Sequence, residues 1–162
     1  MEPEAGDLET TARRTPAGDA FSAMVVRLIR LQGFLSAAGD ALARPSGQST
    51  ARWQVLAVVE NGSVTVADIA RALTLARQSV QRVADILADE GLVAYEANPR
   101  HERAKLVSLT QAGRVVLATI QGAQRGWADE LGAEIGVADL ERLGRLLDKV
   151  LRVAERHPPA PR

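Results

Sequence analysis

A cluster of arginine and glutamine side chains is the part of this sequence best suited to chemistry. Its members lie within the first two turns of a predicted helix: Arg77, Gln78, Gln81 and Arg82. At about 100° per residue they fall opposite, or on the flank of, the apolar face of that helix. Arginine can bond O6 and N7 of guanine together, and glutamine can bond N6 and N7 of adenine. These residue types in this arrangement predict a helix that reads base edges in the major groove of DNA.

Two smaller groups of polar residues complete the predicted site. Ser79 and Thr65 lie near helix N-termini, where hydroxyl groups are suited to phosphate oxygens. Arg100 and Arg103 lie in a polar, proline-containing tip, and an arginine on such a loop can enter a narrow minor groove. Taken alone, the helix cluster could be an ordinary solvated face and the tip an ordinary polar turn. The order of the surrounding elements favours DNA binding over those alternatives.

Two short helices followed by a β-hairpin would position these residues. Thr65 is the predicted N-cap of the first helix, and Asp68 stands three residues later in a capping-box arrangement. Gly91 would end the second helix. The predicted elements are a helix to about residue 73, a turn at 74–75, a reading helix at 77–90 and strands at 92–97 and 104–109. Helix, turn, helix and hairpin in this order make a winged helix–turn–helix.

Helices rich in apolar residues flank this unit on both sides. They are predicted at 20–42, at 51–60 with Thr50 as N-cap, from a Thr110 N-cap to Leu131 with Gly132 and Gly136 as its end, and at 140–154. The last helix carries an apolar stripe at helical spacing: Leu140, Leu143, Leu147, Val150, Leu151 and Ala154. The stripe could fold onto the chain's own core. Two half-sites about 34 Å apart need two reading heads, however, which favours a symmetric dimer.

The predicted fold class is mainly α with a small β-hairpin wing and a helical dimerisation region formed from both chain ends. The chain length suits one well-filled core. The predicted parts are a flexible N-terminal arm at 1–18, an N-terminal dimerisation helix at 19–48, a winged helix–turn–helix DNA-binding region at 49–112, C-terminal dimerisation helices at 113–156 and a tail at 157–162.

Composition argues against a catalytic or disulfide-stabilised protein. The chain has no cysteine, which excludes disulfides, thiolate zinc sites and cysteine redox chemistry. Its two histidines, His101 and His157, fall in a loop and in a tail. No glycine-rich phosphate loop or metal-spaced cluster accompanies them. We therefore expect no enzyme activity, no cofactor and no metal.

Hydropathy and charge bear on location and partners. No uninterrupted apolar run approaches the ~20 residues needed to span a bilayer, and the acidic N-terminal stretch does not resemble a signal peptide. We therefore expect a cytoplasmic protein with no membrane partner. The formal net charge is zero, which argues against nonspecific coating of nucleic acid. It allows a basic face, because acidic residues elsewhere can cancel the total.

In this order the motifs resemble the MarR family of bacterial transcription regulators. The resemblance rests on DIARAL followed by LARQSVQRVADILADEGLV, on NPRHERAKLVSLTQAGR after it, and on TARWQVLAVVENG before it. It covers residues 20–155. It implies a homodimer that presents two winged heads to a pseudo-palindromic operator in double-stranded DNA, usually as a repressor. It also implies a small, often aromatic, effector that releases the DNA.

Position by position, the resemblance extends to single residues. It assigns Arg77, Gln78, Ser79, Gln81 and Arg82 to the reading helix and Arg103 to the wing tip. His101 replaces the aspartate of the family's wing, Glu102 stands where many members carry a base, and Ala76 replaces a Ser or Thr cap. The lost cap costs about 1 kcal/mol of helix stability.

These departures leave alternatives open. One is a winged-helix module that binds protein, with weak or no DNA binding. Asp85, on the polar face of the reading helix, would repel phosphates unless it lies beyond the duplex or orients an arginine. Trp53 and Phe34 could line an effector pocket, although aromatic residues at helical spacing are more often part of a core.

Overall fold

The computed structural model describes residues 14–101 and 103–158, and these form six α-helices and three short strands. The helices are α1 (Pro16–Ala43), α2 (Thr50–Val58), α3 (Val66–Leu73), α4 (Arg77–Asp89), α5 (Gln111–Ile135) and α6 (Val137–Arg156). The strands are β1 (Val64–Thr65), β2 (Val93–Glu96) and β3 (Leu106–Leu109). The mainly α fold with a small sheet is as predicted. Residues 1–13 of the predicted arm, Glu102 and residues 159–162 of the tail lie outside the described residues.

The core lies where α2, α3, α4 and the first half of α5 pack against the sheet. Its most enclosed large side chains include one from each of these elements, and none is more than 1% exposed: Leu56, Ile69, Leu87, Val107 and Leu117. On α4 the buried residues are Val80, Ala84 and Leu87, as the apolar periodicity predicted. The opposite face of α4 is therefore directed to solvent.

The sheet is antiparallel, with the strand order β1–β3–β2. β2 and β3 form the predicted hairpin, with Val93 opposite Leu109 and Glu96 opposite Leu106, and both strands are shorter than predicted. β1 was not predicted. It adds only two residues, with Val64 opposite Val107, and two residues are too few to show an alternating pattern.

The start of α5 is tied closely to the start of the hairpin. Thr110 is the N-cap, as predicted, and its Oγ1 accepts a hydrogen bond from the Gly113 N–H (3.0 Å). The same hydroxyl lies 2.7 Å from the Gly91 carbonyl oxygen and 3.0 Å from that of Leu92. A Cβ at Gly113 would lie 2.0 Å from the Leu92 carbonyl oxygen. Only glycine allows this approach of α5 to the sheet.

The junction of α1 and α2 differs from the prediction that Thr50 caps α2. Ser49 is the cap, accepting from the Arg52 N–H (3.4 Å). Thr50 lies inside the helix, donates from Oγ1 to the Ser36 carbonyl (2.9 Å) and from N–H to Asp40 Oδ1 (2.7 Å). That backbone hydrogen bond is the main cause that lowers the pKa of Asp40. Thr50 therefore fastens α2 to α1, a contact between elements that local capping rules do not anticipate.

Two other predicted boundaries were wrong. α1 begins at Pro16, inside the predicted arm, because Thr15 caps it by accepting from the Gly18 N–H (3.1 Å). Gly132 does not end α5, which continues to Ile135 and ends at Gly136, where φ is +90°. A glycine inside a helix costs only about 1 kcal/mol relative to alanine, so packing can override it.

The two helices at the chain ends leave apolar surface exposed. α6 has no buried residue, and α1 buries only Gly39 and Ala43. The exposed apolar residues of the two helices include Phe21, Val26, Ile29, Phe34, Leu140, Leu143, Leu146 and Leu151. By length and composition alone, the segment from α1 to Ser46 is also apolar enough to cross a membrane. Arg27, Arg30 and Asp40 interrupt its apolar residues.

Candidate nucleic-acid interface

The reading helix α4 is set by a well-capped supporting helix and a tight turn. Thr65 and Asp68 form the predicted capping box, with each side chain accepting from the other's backbone N–H at 3.2 Å. Thr74 ends α3 in the left-handed conformation (φ +54°), and the Leu75 N–H donates to the Ala70 carbonyl (2.9 Å). These local contacts fix the angle at which α4 leaves α3.

The Thr65 hydroxyl, which is predicted to contact a phosphate, already has hydrogen-bond partners within the protein. It contacts Asp68 Oδ2 at 2.7 Å. This hydroxyl, followed by the Arg71 guanidinium, holds the pKa of Asp68 below its usual value. A phosphate near Thr65 would meet an ionised carboxylate beside the hydroxyl. The role of Thr65 in DNA binding stays a prediction.

The first turn of α4 has no side-chain cap. Ala76 is extended (φ −65°, ψ 133°) and makes no capping hydrogen bond, in agreement with the sequence. The first N–H groups of a helix have no partner within the helix and carry partial positive charge. The start of α4 can therefore offer backbone donors to a phosphate oxygen next to the Ser79 hydroxyl.

Most of the predicted reading residues are exposed on one face of α4. Arg77, Gln78, Ser79 and Arg82 are exposed, whereas Gln81 is half-buried. None of these arginines forms an ion pair with another residue that the structure describes, while Arg52 pairs with Glu90 at 2.8 Å. Their guanidinium groups are free to bind an external anion or a base edge.

The wing, consisting of β2, β3 and the tip between them, carries the second group of arginines. Asn98 orders the tip by donating from Nδ2 to the Ala104 carbonyl (2.9 Å) and accepting from the Arg100 N–H (3.0 Å). Arg100, His101 and Arg103 are exposed around it. Asn98 thus links the two sides of the tip, while the basic side chains of Arg100 and Arg103 are exposed.

One open groove brings the reading helix and the wing together. Its volume is ≈ 430 Å³, and its lining includes Thr65, Arg77, Gln81, Tyr95, Arg103 and Lys105. An adjoining groove is lined by Arg77, Arg100, His101 and Arg103. The structure therefore places Arg77 beside the two predicted wing arginines. Gln78, Ser79 and Arg82 lie on the same helix, outside the groove lining.

Sequence reasoning missed two residues of this groove. Lys105 is exposed next to Arg103 and adds a third cation, but its sequence position gave no signal beyond its charge. Tyr95 lies in the strand predicted at 92–97, and no pattern in the sequence marks it as a functional residue. Its ring packs against the core, and its hydroxyl reaches Asp85 (2.7 Å) and Gln81 (2.8 Å) on α4. Asp85 therefore orients a glutamine and a tyrosine, not an arginine.

A second cavity of ≈ 440 Å³ lies between α1, α2 and α5. Leu35, Leu42, Trp53, Gln54, Gln124 and Trp127 are among its lining residues. Trp53 lines it and also packs against the core, the alternative that the sequence favoured. Phe34 is exposed and instead faces Trp127, with ring centroids 6.5 Å apart. Within the described residues, no group of acidic or histidine side chains could hold a metal ion.

The chain is similar to a known protein family and to bacterial proteins. Residues 46–104 match a family model described as the MarR family. An uncharacterized protein of Mycobacterium tuberculosis is 40% identical over 102 residues, covering 63% of this chain and 71% of that protein. The transcriptional activatory protein BadR of Rhodopseudomonas palustris is 27% identical over 130 residues, covering 77% and 74%.

A solved structure of a DNA complex is similar to this chain. The M. tuberculosis transcriptional regulator MosR in complex with DNA has a TM-score of 0.68 and 26% identity, and the match covers 82% of this chain and 96% of that one.

Proposed function

Because the chain belongs to the MarR family of winged helix–turn–helix transcription regulators, we propose that it is a homodimeric regulator that binds a pseudo-palindromic operator in double-stranded DNA in the bacterial cytoplasm. The observation that carries this proposal is the group of exposed arginines on α4 and the wing. Arg77, Arg100 and Arg103 line adjoining grooves, and Arg82 is exposed on the same helix. Binding, rather than catalysis, is the proposed activity.

Within this surface we assign each group a separate task. Arg82 and Gln78 read base edges, because they are exposed on the face of α4 opposite its buried residues. Ser79, Arg77 and the uncapped N–H groups of α4 hold phosphates, which fix register without reading sequence. Arg103 enters the minor groove from the wing, with Arg100 and Lys105 beside it to contact the backbone.

The proposed dimer follows from the surfaces that one chain leaves uncovered. α6 buries none of its residues and exposes several leucines, and α1 exposes further apolar side chains at the other end of the chain. Burying apolar area is favourable by about 25 cal/mol per Å², so a symmetric pair of these helices would be stabilised. Two copies also supply the two heads that a pseudo-palindromic site requires.

Substitution of single arginines tests whether Arg82 reads a base and whether Arg103 contacts the minor groove. We expect Arg82→Ala to weaken binding to a selected operator by about 1–3 kcal/mol and to relax preference at one base position. Arg103→Ala should weaken binding with little change in major-groove preference. Selection from a random duplex library followed by fluorescence anisotropy measures both effects.

A matched variant separates these effects from a change in net charge. Arg125→Ala removes the same charge from the exposed middle of α5, away from both grooves, and should bind as the wild type does. If all three variants and the wild type bind alike, the DNA interface lies elsewhere or does not exist. The latter result would favour the second candidate, a winged-helix module that binds protein.

We also propose repression as the mode of action and a small aromatic effector as its signal. The name of the R. palustris relative indicates activation, so a reporter assay with and without the regulator must settle the direction. The cavity between α1, α2 and α5 is of a size typical for small ligands. It lies between α1 and α2, the first helix of the predicted DNA-binding region. A ligand there could change the angle between them.

Both tryptophans of the chain line this cavity, which makes ligand entry directly visible. We expect members of a panel of phenolic and benzoic acids to quench tryptophan fluorescence and to lower operator affinity at the same concentration. Ala57→Leu should fill the cavity and abolish both effects. Quenching without any change in operator affinity would contradict a regulatory role for the cavity.

A further inference from the structure

Three polar side chains form a closed hydrogen-bonded triangle between α4 and β2. Gln81 donates from Nε2 to Asp85 Oδ1 (2.8 Å) and to the Tyr95 hydroxyl (2.8 Å). The Tyr95 hydroxyl donates in turn to the same Asp85 oxygen (2.7 Å). The triangle lies in the wall of the groove between the reading helix and the wing. It ties the side chain of one predicted reading residue to the wing strand.

The chemistry of the triangle fixes which end of the Gln81 amide is turned inward. A carboxylate only accepts hydrogen bonds, so the amide nitrogen, and not the amide oxygen, must face Asp85. The reverse orientation would set a carbonyl oxygen against a carboxylate. The amide oxygen of Gln81 therefore points away from Asp85 and is the end available to a ligand.

Tyr95 makes this arrangement rigid. Its ring packs against the buried core, so its hydroxyl cannot follow a moving glutamine. Asp85 is exposed on the same face as the reading residues, where an ionised carboxylate opposes phosphate binding. A role in holding Gln81 accounts for an acidic residue at a position where charge alone would disfavour one.

We infer that Asp85 and Tyr95 are positioning residues that present Gln81 to the major groove as a hydrogen-bond acceptor. This inference rests on the proposed DNA-binding function. An acceptor pairs with the exocyclic amines of adenine (N6) and cytosine (N4), whereas guanine O6 and thymine O4 are themselves acceptors. Gln81 then selects adenine or cytosine over guanine or thymine. Bidentate reading of adenine, which the sequence suggested, would need the nitrogen that Asp85 and Tyr95 hold.

The base preference at a single operator position tests whether Gln81 is presented as a hydrogen-bond acceptor. Full-length wild type, Gln81→Ala, Asp85→Ala and Tyr95→Phe are each bound to a duplex library derived from the selected operator, and relative affinities are read for every base at every position. The position that Gln81→Ala relaxes is the one that Gln81 contacts. There the wild type should favour adenine and cytosine about equally over the other two bases.

The positioning variants should change this one preference. Without its restraints the amide can turn and bond both N6 and N7 of adenine, so Asp85→Ala and Tyr95→Phe should shift the adenine-to-cytosine ratio toward adenine by roughly fivefold or more. Tyr95→Phe keeps the buried ring. Circular dichroism melting of each variant establishes that it is folded.

Asp89→Ala is the matched control for charge. It removes an exposed carboxylate from the same helix, about one turn from Asp85, without touching Gln81. It should raise affinity for all sequences alike and leave the base preference unchanged. A purely electrostatic or structural role of Asp85 would produce that same uniform change in Asp85→Ala.

The outcomes separate the inference from the proposed function. Sequence-specific binding with an unchanged adenine-to-cytosine ratio in both positioning variants overturns the inference and leaves the proposed function standing. A wild type that takes adenine alone, or guanine or thymine, at the Gln81 position overturns it equally. A wild type with no sequence preference at all overturns the proposed function and the inference together.

Discussion

Titration of the Tyr95 phenol reports directly on the triangle that Tyr95 forms with Gln81 and Asp85. Burial, the hydrogen bond to Asp85 and the charge of that carboxylate together raise the pKa of this phenol to about 12, although the hydrogen bond from Gln81 acts in the opposite direction. Tyr95 is the one tyrosine in the chain, so phenolate absorbance reports on it alone. We expect the titration midpoint of the folded protein near pH 12, against the ordinary value of 10.0.

Substitution at Asp85 separates the causes of this shift. Asp85→Ala should move the midpoint part of the way toward the ordinary value, since burial remains, and Asp89→Ala should not move it. Because the folded pKa lies above the unfolded one, this contribution to stability is present below about pH 10 and is lost as the pH rises toward about 12. A wild-type midpoint at the ordinary value would show that the phenol is not held by the triangle.

The sequence predicts the positions of single side chains well only where those positions depend on neighbouring residues in the chain. The exposure of Arg77, Gln78 and Arg82 was predictable, because helix periodicity is a local property. The bonds from Tyr95 to Asp85 and Gln81 were not, because they join residues 10 and 14 positions apart in different elements. That these residues contact DNA remains a prediction from their chemistry.

At the scale of elements, the close approach of α5 to the hairpin sets the position of the wing. Gly113→Ala would drive a Cβ to 2.0 Å from the Leu92 carbonyl oxygen, a backbone atom that cannot move without distorting β2. We expect a loss of about 1–3 kcal/mol in the free energy of unfolding, as for other overpacked sites. Urea denaturation at one fixed protein concentration measures it.

Gly122 provides the matched control on the same helix. A Cβ there meets nothing within 4 Å, so Gly122→Ala should stabilise the protein by about 0.5–1 kcal/mol through helix propensity. If Gly113→Ala were as stable as Gly122→Ala, the close contact between α5 and Leu92 would not exist in solution.

Element order was predictable, while element ends were less so. The capping box at Thr65 and the cap at Thr110 are local signals, and both were predicted correctly. Ser49 displaces Thr50 as a cap because Thr50 has partners on α1, and β1 exists only because β3 lies beside it. Contacts between elements, which no local pattern contains, decide these cases.

For the whole molecule, the proposed dimer would cover the apolar surfaces that α1 and α6 leave exposed. We expect the full chain to have twice the 17.3 kDa mass of one chain in sedimentation experiments. Leu146→Glu should dissociate it, since Leu146 is 52% exposed in one chain and its loss costs the protomer little. Truncation before Val137 should likewise leave a monomeric or insoluble product.

Leu75→Glu makes the same change of an exposed leucine to a charge, in the turn between α3 and α4. It should remain dimeric, because that turn is remote from α1 and α6 in the chain. A soluble dimer after truncation, or a dimer unaffected by Leu146→Glu, would place the interface elsewhere.

Every role proposed for the residues of α4 and the wing requires that their basic surface bind specific duplex DNA. The most direct test of this binding is the affinity of the full-length protein for its own promoter region and for a scrambled duplex, measured over a series of salt concentrations. Each phosphate neutralised should add about −0.9 to the slope of log affinity against log salt. We predict a steep negative slope for both duplexes, with tighter binding of the promoter at every salt concentration. Equal affinity for the two duplexes, or an affinity that does not change with salt, would show that this surface does not bind specific DNA.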